Sequence, residues 1–206
     1  MKVLAINGSP HANGNTACAL EAAAEALHAE GIETEILHIG HKLIHGCTAC
    51  EQCHTLGKCV FDNDPVNEAA EKMAQADGIL LASPVYYAGI AGTMKSFLDR
   101  VFYTRGSSFR HKVGASIAVV RRSGGTATLQ GLNWYLSIGE MILPTGQYWA
   151  VVHGRKPGEA RLDLEGMQTM RTLGKNMAWT LKLVEAGKET LPGPKPEEKE
   201  IMSFIR

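Results

Sequence analysis

The chain has no excess of charge of either sign: 21 Lys and Arg stand against 21 Asp and Glu, a formal net charge of zero over 206 residues. Without a basic or acidic footprint nothing draws it to nucleic acid or to an anionic membrane, and neither is an expected partner. It lacks any apolar run near the ~20 residues that a membrane-spanning helix needs. Met1 runs within two residues into a strand-like stretch, with no basic-then-apolar leader. A soluble, cytoplasmic protein is expected. Two phosphate-binding signatures are also missing. Gly8 is followed by Ser9-Pro10, so the dinucleotide fingerprint G-x-G-x-x-G fails. Gly8 to Gly14 is one residue too long for a Walker loop, and Asn15 stands where the triphosphate-binding lysine belongs. No Ser-His-Asp or Cys-His arrangement emerges, and there is no internal repeat.

What is present at the start is Val3-Leu4-Ala5-Ile6-Asn7, a short apolar strand, leading through Gly8-Ser9-Pro10-His11-Ala12-Asn13-Gly14-Asn15-Thr16 into an alanine-rich helix. A helix N-terminus leaves backbone N–H groups unpaired and carries partial positive charge, so a turn of small residues there cradles phosphate. A cradle of amides with Ser9, Asn15 and Thr16 and no lysine suits a phosphate monoester, and FMN is the candidate.

With 45% hydrophobic residues, the chain is long enough for one well-buried α/β domain and too short for two comfortable ones. Ala17, Leu20, Ala23, Ala24 and Leu27 keep helical spacing from Thr16 to about Glu30, and Gly31 supplies the stop. Ile32 to Leu37 alternates as an edge strand does. Residues 40–64 show no period and are rich in His, Cys and Gly, which predicts a long functional loop. Asp64-Pro65 reads as an N-cap and first helical position of a helix to about Ala76. Ile79-Leu80-Leu81-Ala82 is a central parallel strand. A helix through Met94, Phe97, Leu98, Val101 and Phe102 follows, then a strand from Ala115 to Val120. A helix near 127–140, a strand near 148–152 and a helix near 162–186 complete a βαβα alternation, the pattern of a doubly wound parallel sheet in three α/β/α layers. Residues 1–190 are expected to form that domain. Residues 191–206 form an extended tail, rich in proline and charge, whose apolar end (Ile201, Met202, Phe204, Ile205) suits packing on a neighbouring subunit.

Ligands of such sheets sit beyond the carboxyl ends of the strands. Residues 7–16, 83–92 and 121–126 follow strands one, three and four there. The first loop suits a phosphate. The second, Ser83-Pro84-Val85-Tyr86-Tyr87-Ala88-Gly89, brings aromatic rings, and the third, Ser123-Gly124-Gly125, brings backbone amides for the electron-rich edge of an isoalloxazine. Adjacent residues of an extended segment point oppositely, so one of Tyr86 and Tyr87 is expected to face the flavin and the other the protein.

Four of the five cysteines, Cys47, Cys50, Cys53 and Cys59, crowd into thirteen residues. In a reducing cytosol they are ligands or bystanders before they are disulfides. Four thiolates complete the ligand set of a 4Fe–4S cluster. The rival readings are zinc, shared with His38, His41, His45 or His54, and a loop of unligated thiols. Cys18 lies within helix one and reads as a small core residue.

The segments Gly8 to Thr16, Ser83 to Tyr87 and Met94-Lys95-Ser96-Phe97-Leu98-Asp99-Arg100 resemble the NADPH-dependent FMN reductase-like branch of the flavodoxin-like superfamily. The spacing Cys47-x2-Cys50-x2-Cys53-x5-Cys59 is similar to the compact motif of its iron–sulfur flavoproteins. The resemblance implies a five-stranded sheet of order 2-1-3-4-5 and a homodimer or homotetramer. It implies FMN held by Ser9, His11, Gly14, Asn15, Thr16, by Pro84, Val85, Tyr86, Tyr87, Gly89, and by Ser123, Gly124 and Gly125. His11 stands where the branch often carries Arg or Lys. The implied activity moves electrons between NAD(P)H, or a small iron–sulfur donor, and an acceptor such as a flavin or quinone. A non-enzymatic flavin electron carrier and a zinc-binding interaction protein are the alternatives.

Overall fold

The computed structural model describes residues 1–202 and Phe204; Ile205, part of the predicted apolar ending, lies outside the described residues. The elements are β1 (Lys2–Asn7), α1 (Asn15–Ala29), β2 (Glu33–His38), α2 (Cys53–Leu56), α3 (Val66–Gln75), β3 (Gly78–Tyr86), β4 (Gly89–Ile90), α4 (Gly92–Arg105), β5 (Val113–Val120), α5 (Gly125–Ile138), β6 (Val151–His153) and α6 (Leu164–Gly187). Among the described residues no helix is long and apolar enough to cross a membrane.

Five strands run parallel in the order β2-β1-β3-β5-β6. This is the expected 2-1-3-4-5 once the parallel strands alone are counted. A sixth strand, β4, departs from the five expected. β3 continues past its apolar run and turns back through Tyr87 and Ala88, pairing antiparallel with β4 at Val85↔Ile90 and Tyr86↔Gly89. Much of the predicted second loop is therefore a hairpin.

Alternation along the central strands divides the core in two. Val3, Ala5, Leu80 and Ala82 point toward α1 and α6, whereas Leu4, Ile6, Ile79 and Leu81 point toward α3, α4 and α5. Each strand is buried on both faces, which is why it reads as a continuous apolar run. The small residues of α1 let α6 come close. A Cβ on Gly174 would lie 2.5 Å from the Ala23 carbonyl oxygen, so only glycine permits that approach.

On the opposite face Tyr135 of α5 donates its phenol hydrogen to Asp99 of α4, which also pairs with Lys95 at 2.6 Å. Burial first, and then the bond to Asp99, push the Tyr135 phenol up to about 12, against an opposing effect of Lys95. A phenol that folding keeps protonated contributes stability below its unfolded pKa near 10, and loses it as pH climbs toward the folded value. Ultraviolet titration is expected to show one tyrosine ionising near pH 12, a step absent from Tyr135→Phe.

Candidate functional site

The turn after β1 is shaped by a residue that the motif reading passed over. The Asn7 carboxamide accepts from the Ser9 amide at 3.0 Å and donates to the Ala12 carbonyl at 3.4 Å, an Asx-type turn. Ser9 Oγ in turn accepts from the His11 amide at 3.1 Å. Its backbone carbonyl is 2.7 Å from His38 Nε2; a carbonyl only accepts, so that nitrogen carries the hydrogen. Ser9, Gly14 and Thr16 are buried beneath a rim of exposed His11, Ala12 and Asn13. No side chain caps α1, and the amides of its first turn have no partner within the helix. A buried serine, a fixed turn and an open helix N-terminus make a donor set that fits a phosphate monoester.

Asn15 also ties two distant parts of the fold together. Its Nδ2 donates to the Lys156 carbonyl at 2.9 Å and its Oδ1 accepts from the Ala160 amide at 3.1 Å. The side chain is a strut between α1 and the segment after β6, which leaves its backbone amide and the second Nδ2 hydrogen for an anion.

At the hairpin, Ser83 Oγ accepts from the Ala91 amide at 3.1 Å and donates to the Pro84 carbonyl at 2.8 Å, closing the base. Tyr87 and Ala88 both have positive φ, 49° and 58°. Two left-handed residues are the requirement of a type I′ turn, normally met by Asn-Gly. Holding Tyr-Ala there costs about 1–3 kcal/mol per residue, a strain that concentrates at functional sites. Neither ring is buried: Tyr86 is half exposed and Tyr87 fully exposed. Tyr87, at positive φ, lies outside the extended geometry on which the expected opposition of the two was based.

The third loop touches the second. Gly124, at φ 88°, is the residue before α5, and a Cβ on it would lie 2.7 Å from Ala88 Cα and 3.1 Å from Val85 Cγ1. No side chain caps α5 either. Two uncapped helix N-termini and a strained aromatic hairpin thus share the carboxyl end of neighbouring strands β1, β3 and β5. Beside them an open depression of about 450 Å³ is lined by both signs of charge, Arg121 and Arg155 with Glu159 and Asp163.

The cysteine loop lies against α4. Cys47, Cys50, Cys53 and Cys59 line one recess with Phe61, Arg100 and Tyr103, and none forms a disulfide. The path between them winds through left-handed Ala49 and Glu51 and ends α2 at left-handed Gly57. Among the described residues, no group of three or more His, Cys, Asp or Glu side chains meets at ligating geometry. The thiols fit a 4Fe–4S cluster in kind and number and by sharing a recess. The histidines are dispersed: His41 stacks on His38, His45 meets Phe61 at a tilt, and His54 meets Tyr103 edge to face. Cys18 is buried in α1, as a core residue should be.

No motif pointed to the buried cation at the centre of this loop. Arg100 donates through Nη1 to Asp64 and, at 3.3 Å, to the His45 carbonyl; through Nη2 to the Phe61 carbonyl at 2.8 Å; and through Nε to Cys59 Sγ at 3.2 Å. Burial works against the guanidinium's charge, but the bonds to Asp64 and Cys59 outweigh it and hold its pKa above the ordinary value.

The family model described as NADPH-dependent FMN reductase matches residues 1–156. An iron–sulfur flavoprotein of Methanocaldococcus jannaschii is 38% identical over 193 residues, covering 90% of this chain and 100% of that one. Among solved structures, that of RosB with a bound riboflavin-5'-phosphate derivative superposes with a TM-score of 0.71 at 14% identity, over 100% of this chain and 94% of that one. A flavodoxin, WrbA-like protein from Agrobacterium tumefaciens superposes at 0.62 with 16% identity, over 88% and 97%. With the fold flavodoxin-like and the family model spanning the turn after β1, the hairpin and the third loop, the chain belongs to the NADPH-dependent FMN reductase family of flavin oxidoreductases.

Proposed function

We propose that this oxidoreductase carries FMN across its three loops and a 4Fe–4S cluster on Cys47, Cys50, Cys53 and Cys59, and moves electrons from a reduced nicotinamide nucleotide, or a small iron–sulfur donor, to a flavin, quinone or similar acceptor. The observation that carries this reading is the pair of uncapped helix N-termini, α1 and α5, flanking the Tyr86–Tyr87 hairpin. FMN, when bound, supplies both two-electron and one-electron chemistry, and the cluster one-electron chemistry.

The chain's own residues bind and orient. Amides of Asn15, Thr16 and Ala17 in the first turn of α1, aided by buried Ser9 and Thr16, take the phosphate, while the exposed rim at His11 leaves room for entry. Pro84, Val85 and the Tyr86–Gly89 turn offer a wall to the ring. The Ser123, Gly124 and Gly125 amides, with the positive end of α5, are donors for the ring edge where negative charge develops on reduction.

We further take residues 1–190 as one domain and 191–206 as a tail that serves association of copies into a dimer or tetramer. Arg110 holds the tail at the Pro194 carbonyl, 2.7 Å away, and beyond it Ile201, Met202 and Phe204 are exposed, as are Trp134, Trp149 and Trp179. Such large exposed apolar groups are available for contact between copies.

Protein purified without oxygen is expected to show flavin bands, broad absorption beyond them, and about four iron and four sulfide per chain. Cys50→Ser is expected to remove the broad absorption and spare the flavin. Flavin without iron overturns the cluster, and protein that takes up no FMN overturns the whole reading.

A further inference from the structure

Cys59 differs from the other three cysteines of its loop in being held at both backbone and sulfur. Asn67, in the first turn of α3, uses its carboxamide as a backbone partner: Oδ1 accepts from the Cys59 amide and Nδ2 donates to the Cys59 carbonyl, each at 2.9 Å. The sulfur accepts from Arg100 Nε at 3.2 Å. Cys59 is buried, whereas Cys47 and Cys50 are exposed and Cys53 is intermediate, on the stretch that winds through left-handed Ala49 and Glu51.

The guanidinium that reaches Cys59 also gathers the rest of the loop. Its bonds to the His45 carbonyl, before the first cysteine, and to the Phe61 carbonyl and Asp64, after the last, close residues 45–64 into a ring standing on α4. Arginine does not lose its proton in proteins and only donates. A ligand sulfur that accepts an N–H bond gives less electron density to a metal, and hydrogen bonds to cluster sulfurs are among the main controls on potential.

Resting on the cluster reading above, we infer that Arg100 is a positioning residue of the metal centre: it presets Cys59 as the fixed ligand, closes the loop so that the other three thiols gather around it, and raises the reduction potential through its N–H···S bond. A lysine at this place keeps the charge but cannot reach four acceptors at once. A purely structural role for Arg100 would leave the potential of any cluster that forms unchanged.

The test uses full-length wild type, Arg100→Lys, and the double variant Arg100→Met with Asp64→Leu, which removes both buried charges together and so avoids stranding one. In metal-free protein, iodoacetamide labelling mapped by mass spectrometry is expected to find Cys59 the slowest of the four thiols by about tenfold, given its burial and anchoring, and to find that lag lost in both variants. After reconstitution with ferrous iron and sulfide, the variants are expected to hold roughly half the wild-type iron or less. The midpoint potential of their remaining cluster is expected to move to more negative values, with FMN content unchanged. Wild type that takes up no iron and sulfide overturns the cluster reading, and this inference with it. Wild type that assembles the cluster, alongside folded variants with equal iron, unmoved potential and unmoved Cys59 labelling, overturns the inference alone. If Arg100→Lys does not fold, the double variant carries the same comparison.

Discussion

Asp64→Ala is expected to remove about 3–5 kcal/mol of folding free energy, the range for breaking a buried ion pair from one side. The side chains of Arg100 and Asp64 are 1% and 3% exposed, and the other acceptors around the guanidinium are two carbonyls and a sulfur. The variant leaves a buried cation with no anion, and removes the carboxylate oxygen that accepts from the Val66 amide at 3.1 Å to start α3. With a urea m-value of about 1–3 kcal/mol/M, the unfolding midpoint should fall by roughly 1–5 M. Asp64→Asn should fall less far, because its carboxamide oxygen still accepts. Lys58→Ala, in the exposed Lys58–Asp62 pair, should leave the midpoint where it is. An Asp64→Ala midpoint at the wild-type value would mean that water or a shifted loop neutralises Arg100, and the ring around the cysteines would not be held as described.

The elements that the sequence disclosed are those whose signal is local. β1, β3 and β5 are apolar runs because both faces are covered, and α1 keeps its period because only one side of it meets the sheet. The Tyr87-Ala88 turn escaped notice because it lacks the Gly or Asn that ordinarily marks a type I′ turn; the strain that makes it unusual also hides it. The Asn15 strut joins residues 141 and 145 positions apart, a separation at which no spacing rule operates. Arg100 was the least legible. On an amphipathic helix an arginine is expected at the surface, and its burial depends on carbonyls and a carboxylate from 36 to 55 residues away. Cysteine spacing singled out the loop but carried no information on which thiol is anchored, since that depends on Asn67 and Arg100 reaching in from two other helices.

FMN should bind wild-type protein at least about 100-fold more tightly than riboflavin, and Ser9→Asp should erase the difference. The two flavins share the ring and differ in the phosphate alone, so their affinity ratio isolates the turn after β1. Two charge-assisted bonds from first-turn amides, at about 1.5–3 kcal/mol each, amount to about two to four decades of affinity at 1.4 kcal/mol per decade. In Ser9→Asp the carboxylate can accept from the His11 amide as Ser9 Oγ does at 3.1 Å, and an anion near the N-terminus of α1 is favourable to the helix. The turn is therefore expected to survive, with the protein's own negative charge occupying the region that the phosphate needs. FMN affinity should fall by about two decades or more while riboflavin affinity stays within roughly threefold, because the hairpin and the α5 amides are untouched. Flavin fluorescence titration at low salt measures both. Equal affinity of the wild type for the two flavins would show that the amides at Gly14 and beyond hold no phosphate. A fall for both flavins in Ser9→Asp would mean that the turn supports the ring as well as the ester.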